Sequence, residues 1–389
     1  VTMRLQRQFD FLLEAEKLRR IERQNLILDG SRAENSAEHS WHLALYALAL
    51  APLADPDVNI DRVIRMLLLH DLVEIDAGDH PITDDVDWEA VAVSELAAAQ
   101  RLFGLLPEDQ GGELFDLWRE FEAGESLDAR FAKHLDHCQP IFQTLYCADA
   151  PEFHFDVVRE NLSTGRAAAL ETQFPEAYHH AMNLLGQGSV ASCATLTQRL
   201  EFLNQADALK LVLRASKLGD GSRRENSAEH SWHIMLYGWI LAEHSAHYVD
   251  VGRIVQMLLL HDLVEIDAGD TPIHGTQDPA ALAALEAKEA AAAERLFHLL
   301  PHPQGSTFHG LWTEFEAAES PDAIYAKSID RVQPIFLNLL NGGGSWVEYD
   351  VSLSQLEERV GVKVARGAPE VWTHVRAQLL PWFEAAGRV

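Results

Sequence analysis

The nonapeptide ENSAEHSWH occurs at Glu34 to His42 and returns unchanged at Glu225 to His233. It belongs to a longer repeat. Gly30 to Pro52 and Gly221 to Glu243 share 16 of 23 positions, and Arg62 to Ile82 and Arg253 to Ile273 share 17 of 21, at a constant offset of 191. Further matches follow at an offset of 194: RLFGLLP with RLFHLLP, LWREFEAGES with LWTEFEAAES, and AKHLDHCQPIF with AKSIDRVQPIF. A period this long marks a duplicated domain rather than a solenoid. At 389 residues, each half is long enough to bury its own core. The small and polar stretch GQGSVASCATLTQ, Gly186 to Gln198, reads as the linker. Two domains are therefore expected, residues 1–190 and 191–389, with the second copy packed on the first.

Within each half the apolar residues recur at helical spacing. Ser36 to Ala51, Ile60 to Ile75 and Trp88 to Leu106 each read as one continuous helix. Asn35 or Ser36 is a plausible N-cap, and Glu38 falls in the first turn where a carboxylate favours the helix dipole. No stretch alternates as a strand should, so the expected fold is all-α, with about five to seven helices per half.

MLLLHDLVEIDAGD, at Met66 to Asp79 and again at Met257 to Asp270, runs four apolar residues directly into a His-Asp pair. Burying such a pair without partners costs several kcal/mol. A divalent cation would satisfy both groups. His39, on the preceding helix, is brought beside His70 by an antiparallel hairpin, and Asp136 supplies a late carboxylate in an otherwise apolar helix. The candidate ligands are His39, His70, Asp71 and Asp136, mirrored by His230, His261, Asp262 and Asp330. One divalent metal per domain is expected, and imidazole with carboxylate suits Mn, Co, Fe, Ni, Zn or Mg. Such a set leaves positions open for water and substrate, as a catalytic site requires. Glu74 lies four residues after His70 and three after Asp71, on the same face of the expected helix, and is placed to hold the attacking water or move its proton, as is Glu265. Asp79 and Asp270, in the AGD-x-P turn, are placed to position the water or the leaving oxygen.

At these residues the sequence resembles the HD-domain metal-dependent phosphohydrolases, helical bundles with the pattern H…HD…D. It is most similar to the 5'-deoxynucleotidase subgroup, in which R-x-E-N-x-x-E-H-S, HD-x-x-E, GD and a late K-x-x-D recur. Here these are Arg32 to Ser40, His70 to Glu74, Gly78 with Asp79, and Lys133 with Asp136. The resemblance covers most of each half and implies two tandem HD-domain bundles that hydrolyse a phosphate ester of a small nucleotide, most simply a nucleoside or deoxynucleoside 5'-monophosphate. The second copy would complete an intramolecular pseudo-dimer, with further oligomerisation open. The subgroup carries an Arg-Trp pair ahead of Glu-Asn, associated with phosphate binding and rejection of the 2'-hydroxyl. This chain offers Arg23 or Arg214 there, without the tryptophan. Arg32 and Arg223 either bind phosphate or pair with the nearby glutamates, and Lys133 and Lys327 either contact phosphate or form exposed salt bridges. Trp41 and His42 are expected to pack beneath the site.

Three rival readings remain: a nucleoside triphosphate triphosphohydrolase, a nucleotide-binding regulator without turnover, and a redox HD oxygenase. The last needs extra metal-binding histidines, and none between the HD pair and the final Asp recurs in both copies. Formal charge of −29 works against nucleic acid as a partner. No apolar run approaches membrane-spanning length, and the three cysteines form no CxxC pair. Without a secretory h-region near residue 1, the expected location is cytoplasmic.

Overall fold

The computed structural model describes residues 2–275 and 277–389, and it is dominated by helices. The first half contains α1 (Thr2–Ala15), β1 (Glu22–Leu26), β2 (Ala33–Asn35), α2 (Ser36–Leu50), α3 (Ile60–Leu69), α4 (Glu74–Ala77), α5 (Trp88–Phe103), α6 (Glu108–Ala123), α7 (Leu127–Tyr146), α8 (Glu152–Ser163), α9 (Leu170–Gln173) and α10 (Pro175–Leu184). The second contains α11 (Ala194–Ala206), β3 (Leu213–Lys217), β4 (Arg224–Asn226), α12 (Ser227–Ile240), α13 (Val251–Leu260), α14 (Glu265–Ala268), α15 (Pro279–Phe297), α16 (Gln304–Ala317), α17 (Pro321–Leu340), α18 (Ser345–Glu348), α19 (Leu353–Leu356), α20 (Val362–Gly367) and α21 (Pro369–Ala385).

Three expectations need correction. The strands were not expected, yet in each half the first helix is followed by an antiparallel hairpin in which Glu22 pairs with Asn35 and Leu213 with Asn226. Its turn is Asp29-Gly30: Gly30 adopts φ +75°, which only glycine enters without penalty, and Asp29 Oδ1 accepts from the Ser31 amide. The expected helix from Ile60 to Ile75 stops at Leu69, and residues 70–73 form a tighter turn before α4. Finally, the expected linker is shorter, because Ala194 to Gln198 already belong to α11.

Helix α2 explains how the halves meet. Every one of its residues is buried, as in α12, so these helices face protein on all sides rather than presenting one apolar stripe. α2 packs on α3 and α7 of its own half, and on α12 and α11 of the other; α1 in turn packs on α12. The first helix of each half thus lies against the central helix of its twin. Asn35 forms a capping box with Glu38 and donates its amide to Glu229 at 2.9 Å. Asn226 caps α12 in the same way and donates to Glu38 at 2.6 Å. The two copies of ENSAEHSWH therefore face each other, and their caps interlock.

Candidate metal centres and pockets

The turn at residues 70–73 builds the centre of each site. His70 Nδ1–H donates to the Leu67 carbonyl at 2.8 Å, and the Glu74 amide reaches back three residues to Asp71. This i to i+3 winding places Asp71 and Glu74 on one side, because three residues complete a turn. The proximity expected from a continuous α-helix is thus retained through a tighter turn. Gly78 then reverses the chain at φ +80°, and Asp79 enters the same pocket.

α2 and α7 bring the remaining donors. His39 Nε2 lies 3.1 Å from Asp136 Oδ1, His70 Nε2 lies 3.6 Å from the same oxygen, and His70 Nε2 is 3.0 Å from Asp71 Oδ1. The second half repeats this: His230 to Asp330 is 3.0 Å, His261 to Asp330 is 3.7 Å, and His261 to Asp262 is 2.9 Å. In both halves the two histidines and the late aspartate offer atoms within 4.8 Å of one another, a spacing that one cation can bridge. His39 Nδ1–H donates to Gln139, and His70 Nδ1–H to a carbonyl, so both rings turn Nε2 toward the cluster. Nε2 of His70 and of His261 is buried without any hydrogen-bond partner. Orphaned nitrogens beside carboxylates are what a divalent ion would satisfy, so the donor set fits one.

Electrostatics separate the carboxylates. Glu74, largely buried and close to Asp71 and Asp79, is pushed well above the usual carboxylate range even though Arg23 and the Ser36 hydroxyl oppose this. Glu265 and Asp270 are raised for the same reasons, as is Asp79. Asp136 and Asp330 go the other way, because two imidazoles overcome their burial. Among the histidines, burial is outweighed at His261 by Asp262 and Asp330, raising it to about 10, and His70 shifts in the same direction. Metal binding must therefore displace protons.

The expected phosphate-binding residues divide into two groups. Arg23 is in the pocket, 2.9 Å from Asp71 and 3.8 Å from Glu74, and Arg214 is its equivalent at Asp262 and Glu265. Lys133 and Lys327 line their pockets; Lys133 lies over the Phe121 ring, and Lys327 pairs with Glu316 at 3.1 Å. Arg32 and Arg223 do not reach the pockets. Arg32 grips Glu38 with two nitrogens and donates to the Lys210 carbonyl of the other half, and Arg223 does likewise with Glu229 and Arg19. They hold the caps and the contact between halves, which corrects the phosphate alternative. Trp41 and His42, both in α2, are buried.

A third group, Glu34, His42 and Asp207, has metal-like spacing but is already filled by a side chain: Lys210 Nζ donates to Glu34 at 2.7 Å, to His42 Nδ1 at 3.1 Å, and to Asp207. Arg19 serves Glu225 in the second half at 2.6 Å. Each cation comes from the opposite half. Glu34 and Glu225 in turn lie 3.5 and 3.4 Å from Nδ1 of His39 and His230. The sequence does not single out these cations, and it marks Ser36 only as a candidate N-cap, whereas the Ser36 hydroxyl donates to Glu74 at 2.5 Å. The offset of 191 does align Arg19 with Lys210 and Ser36 with Ser227, which is the signal that was there.

A helical domain that brings a His, a His-Asp pair and a late Asp together beside a pocket, with spacing one cation can bridge, is built twice in this chain. The chain belongs to the HD domain family, whose profile matches residues 15–178 and again 206–372. Similar proteins include the human 5'-deoxynucleotidase HDDC2, 34% identical over 134 residues, covering 34% of this chain and 64% of that protein. The Bos taurus protein of the same name is 35% identical over the same length, and 5'-deoxynucleotidase hdd1 of Schizosaccharomyces pombe is 26% identical over 116 residues, 29% of this chain and 57% of that one. The chain thus spans less than two thirds of these relatives. A solved structure of a predicted metal-dependent phosphohydrolase from Magnetospirillum magnetotacticum MS-1 is 39% identical, covering 49% of this chain and 96% of that one, with a TM-score of 0.45. No helix among the described residues is long and apolar enough to cross a membrane.

Proposed function

We propose that the chain is a metal-dependent phosphohydrolase that removes phosphate from nucleotides, with nucleoside or deoxynucleoside 5'-monophosphates as the substrate class for which the first half is fitted. The observation that carries this reading is the convergence of His70, Asp71, Asp136, Glu74, Asp79 and Arg23 at one cavity of about 340 Å³, in the range of small-molecule sites, with His39 buried behind Asp136 at 3.1 Å. The names of the relatives point the same way.

In this reading His39, His70, Asp71 and Asp136, with their equivalents His230, His261, Asp262 and Asp330, hold one divalent ion per half. When bound, the ion lowers the pKa of water and polarises a phosphoryl oxygen. Arg23 presents its guanidinium to the phosphate and keeps the facing carboxylates apart. Lys133 approaches from α7 and offers a second positive charge. Glu74 carries a carboxyl that burial and Asp71 raise well above the usual carboxylate range, and Ser36 fixes its orientation. It takes the proton of the attacking water and returns it to the leaving ribose oxygen, while Asp79 orients the water.

The two halves, residues 1–190 and 191–389, act in this reading as an intramolecular pseudo-dimer. Support comes from the interlocked caps and from Lys210 and Arg19, each steadying the other half's glutamate. The test is a phosphate-release screen over ribo- and deoxynucleotides with several divalent metals. His70→Ala with Asp71→Ala, and separately His261→Ala with Asp262→Ala, should each remove one half's turnover. Metal-loaded protein that releases no phosphate from any nucleotide would sink the proposal.

A further inference from the structure

The halves diverge beyond the late aspartate. After α7 the first half continues into α8 and α9; after α17 the second turns through Gly342 to Gly344 and returns along α18, α19, a π-helical turn at Glu357–Gly361, and α20. The second pocket is consequently larger, about 810 Å³ against about 340 Å³. Its wall is also different in charge. α17 contributes Lys327 and Arg331, one helical turn apart, and the packed segment opposite contributes Arg359 and Lys363 with the same spacing. In the first pocket the position of Arg331 is occupied by His137, and Arg166 lies over the Trp88 ring at 5.0 Å.

These four cations are under-neutralised. Arg331 Nε is buried without a hydrogen-bond partner, and its carboxylate neighbour, Asp330, is 3.8 Å away. Among the described residues, Arg359 and Lys363 form no ion pair, Lys327 pairs with Glu316 at 3.1 Å, and Arg331 has only the long contact to Asp330. The other acidic residues lining this pocket are Asp262, Glu265 and Asp270 at the candidate metal centre, which Arg214 faces, Glu286 and Glu289 on α15, and Glu358 beside Arg359. Arg331, together with burial and Lys327, holds the Lys363 ammonium below its usual range. Burial first, then Arg359 and Arg331, push His274 down to about 4. Unpaired positive charge concentrated in one cavity of a chain with formal charge −29 marks a site for an anion more highly charged than a monophosphate.

We propose that the second half binds a nucleoside di- or triphosphate, with its distal phosphates on Lys327, Arg331, Arg359 and Lys363, so that the two sites of one chain take different nucleotide classes. This rests on the nucleotide reading above. The test uses the full-length metal-loaded protein and calorimetric titration with three probes: a deoxynucleoside triphosphate analogue with methylene in place of its 5' ester oxygen, which the proposed reaction cannot cleave, the 5'-phosphonate of the same nucleoside, and inorganic triphosphate. One triphosphate analogue should bind per chain, at least about tenfold more tightly than the phosphonate. Arg359→Gln with Lys363→Gln should weaken it by about tenfold or more, from the loss of two charge-assisted contacts, and the phosphonate by less than about threefold. If that variant loses its fold, Lys363→Gln alone, at an exposed position, carries the same comparison. Equal weakening of both analogues, or loss of triphosphate binding in His70→Ala/Asp71→Ala protein, overturns the proposal, and equal affinity for inorganic triphosphate overturns its nucleoside part. Phosphate release from monophosphates in the same preparation separates the two readings: if it persists, only this inference fails, and if it is absent as well, both fail.

Discussion

Replacing Lys210 with methionine should damage the half to which Lys210 does not belong in sequence. Its ammonium is fully buried and holds Glu34 at 2.7 Å and His42 at 3.1 Å, as well as Asp207. Asp207 would keep two other donors, the Leu28 amide at 2.8 Å and Gln143 at 3.0 Å. Glu34 would not. Its Oε1 would retain only Gln139 at 3.5 Å, and its Oε2 has no hydrogen-bond partner even now. The cost therefore falls on one buried carboxylate left without its cation, about 3 to 5 kcal/mol. Lys210 is the main force that holds Glu34 below the usual carboxylate range against its burial. A depressed carboxylate stabilises the fold above its ordinary pKa of about 4.5 and loses that contribution as pH falls through the folded value, so the full effect is present at pH 7.

The assay is equilibrium unfolding in urea at pH 7, where a shifted midpoint at constant slope reads stability directly. Lys210→Met should cost several kcal/mol, and adding Glu34→Gln should recover much of it, because a neutral amide needs no counter-charge. Function supplies the second readout. With His261→Ala/Asp262→Ala silencing the second site, Lys210→Met should lower metal retention and turnover at the first, through the loosened Glu34 beside His39. Arg19→Met should do the reverse, acting through Glu225 on His230. A loss below about 1 kcal/mol, or equal effects of both variants on both sites, would refute the reasoning.

Four further outcomes are expected. Burial and then Lys210 push His42 down to about 3, so between that value and about 6.5 the unfolded chain binds the extra proton and stability falls as pH drops. His42→Gln should flatten this dependence by up to about 1.4 kcal/mol per pH unit, as read from urea midpoints between pH 4.5 and 7; an unchanged slope would show that His42 titrates normally. Chelation should abolish phosphate release, and metal analysis should find two ions per reloaded chain, falling to one in His70→Ala/Asp71→Ala protein. Arg23→Ala should lower kcat/KM for a 5'-monophosphate at the first site by about 10- to 100-fold, the value of one or two charge-assisted hydrogen bonds. Arg32→Ala should lower the melting temperature and leave KM within about twofold, since its guanidinium is spent on Glu38 and a carbonyl of the other half.

Much of each candidate site was legible because its chemistry is carried by short, strongly polar segments inside apolar helices. His39, His70 and Asp136 could be grouped from residue type and from the repeat, and the structure brings them together. The hairpins were missed because their strands are short and half-exposed, with burial that does not alternate cleanly. The Asp-Gly turn was the available signal, since that dipeptide is a strong hairpin marker. The break after Leu69 escaped because nothing in LLLHDLVEI disfavours a helix locally. Tertiary demands on His70 and Asp71 tighten that turn. Arg32 was ambiguous for a related reason: proximity to Glu38 along the chain does not say that both sit where two domains meet.

The exchange of partners between halves explains why ENSAEHSWH is repeated without change. A segment that served only a metal site would need His39 and little else in common with its copy. Here Asn35 caps its own helix and also bonds Glu229, while Glu38 closes its own capping box and also accepts from Asn226. Each residue thus works once within its half and once across the junction, and a change in one copy disturbs both. The wall beyond the late aspartate carries no such double duty. There His137 stands where the other half has Arg331, and the chain after α7 and α17 takes different paths. Constraint at the junction and freedom at the pocket wall are what allow two nearly identical candidate metal centres to stand in two differently lined pockets.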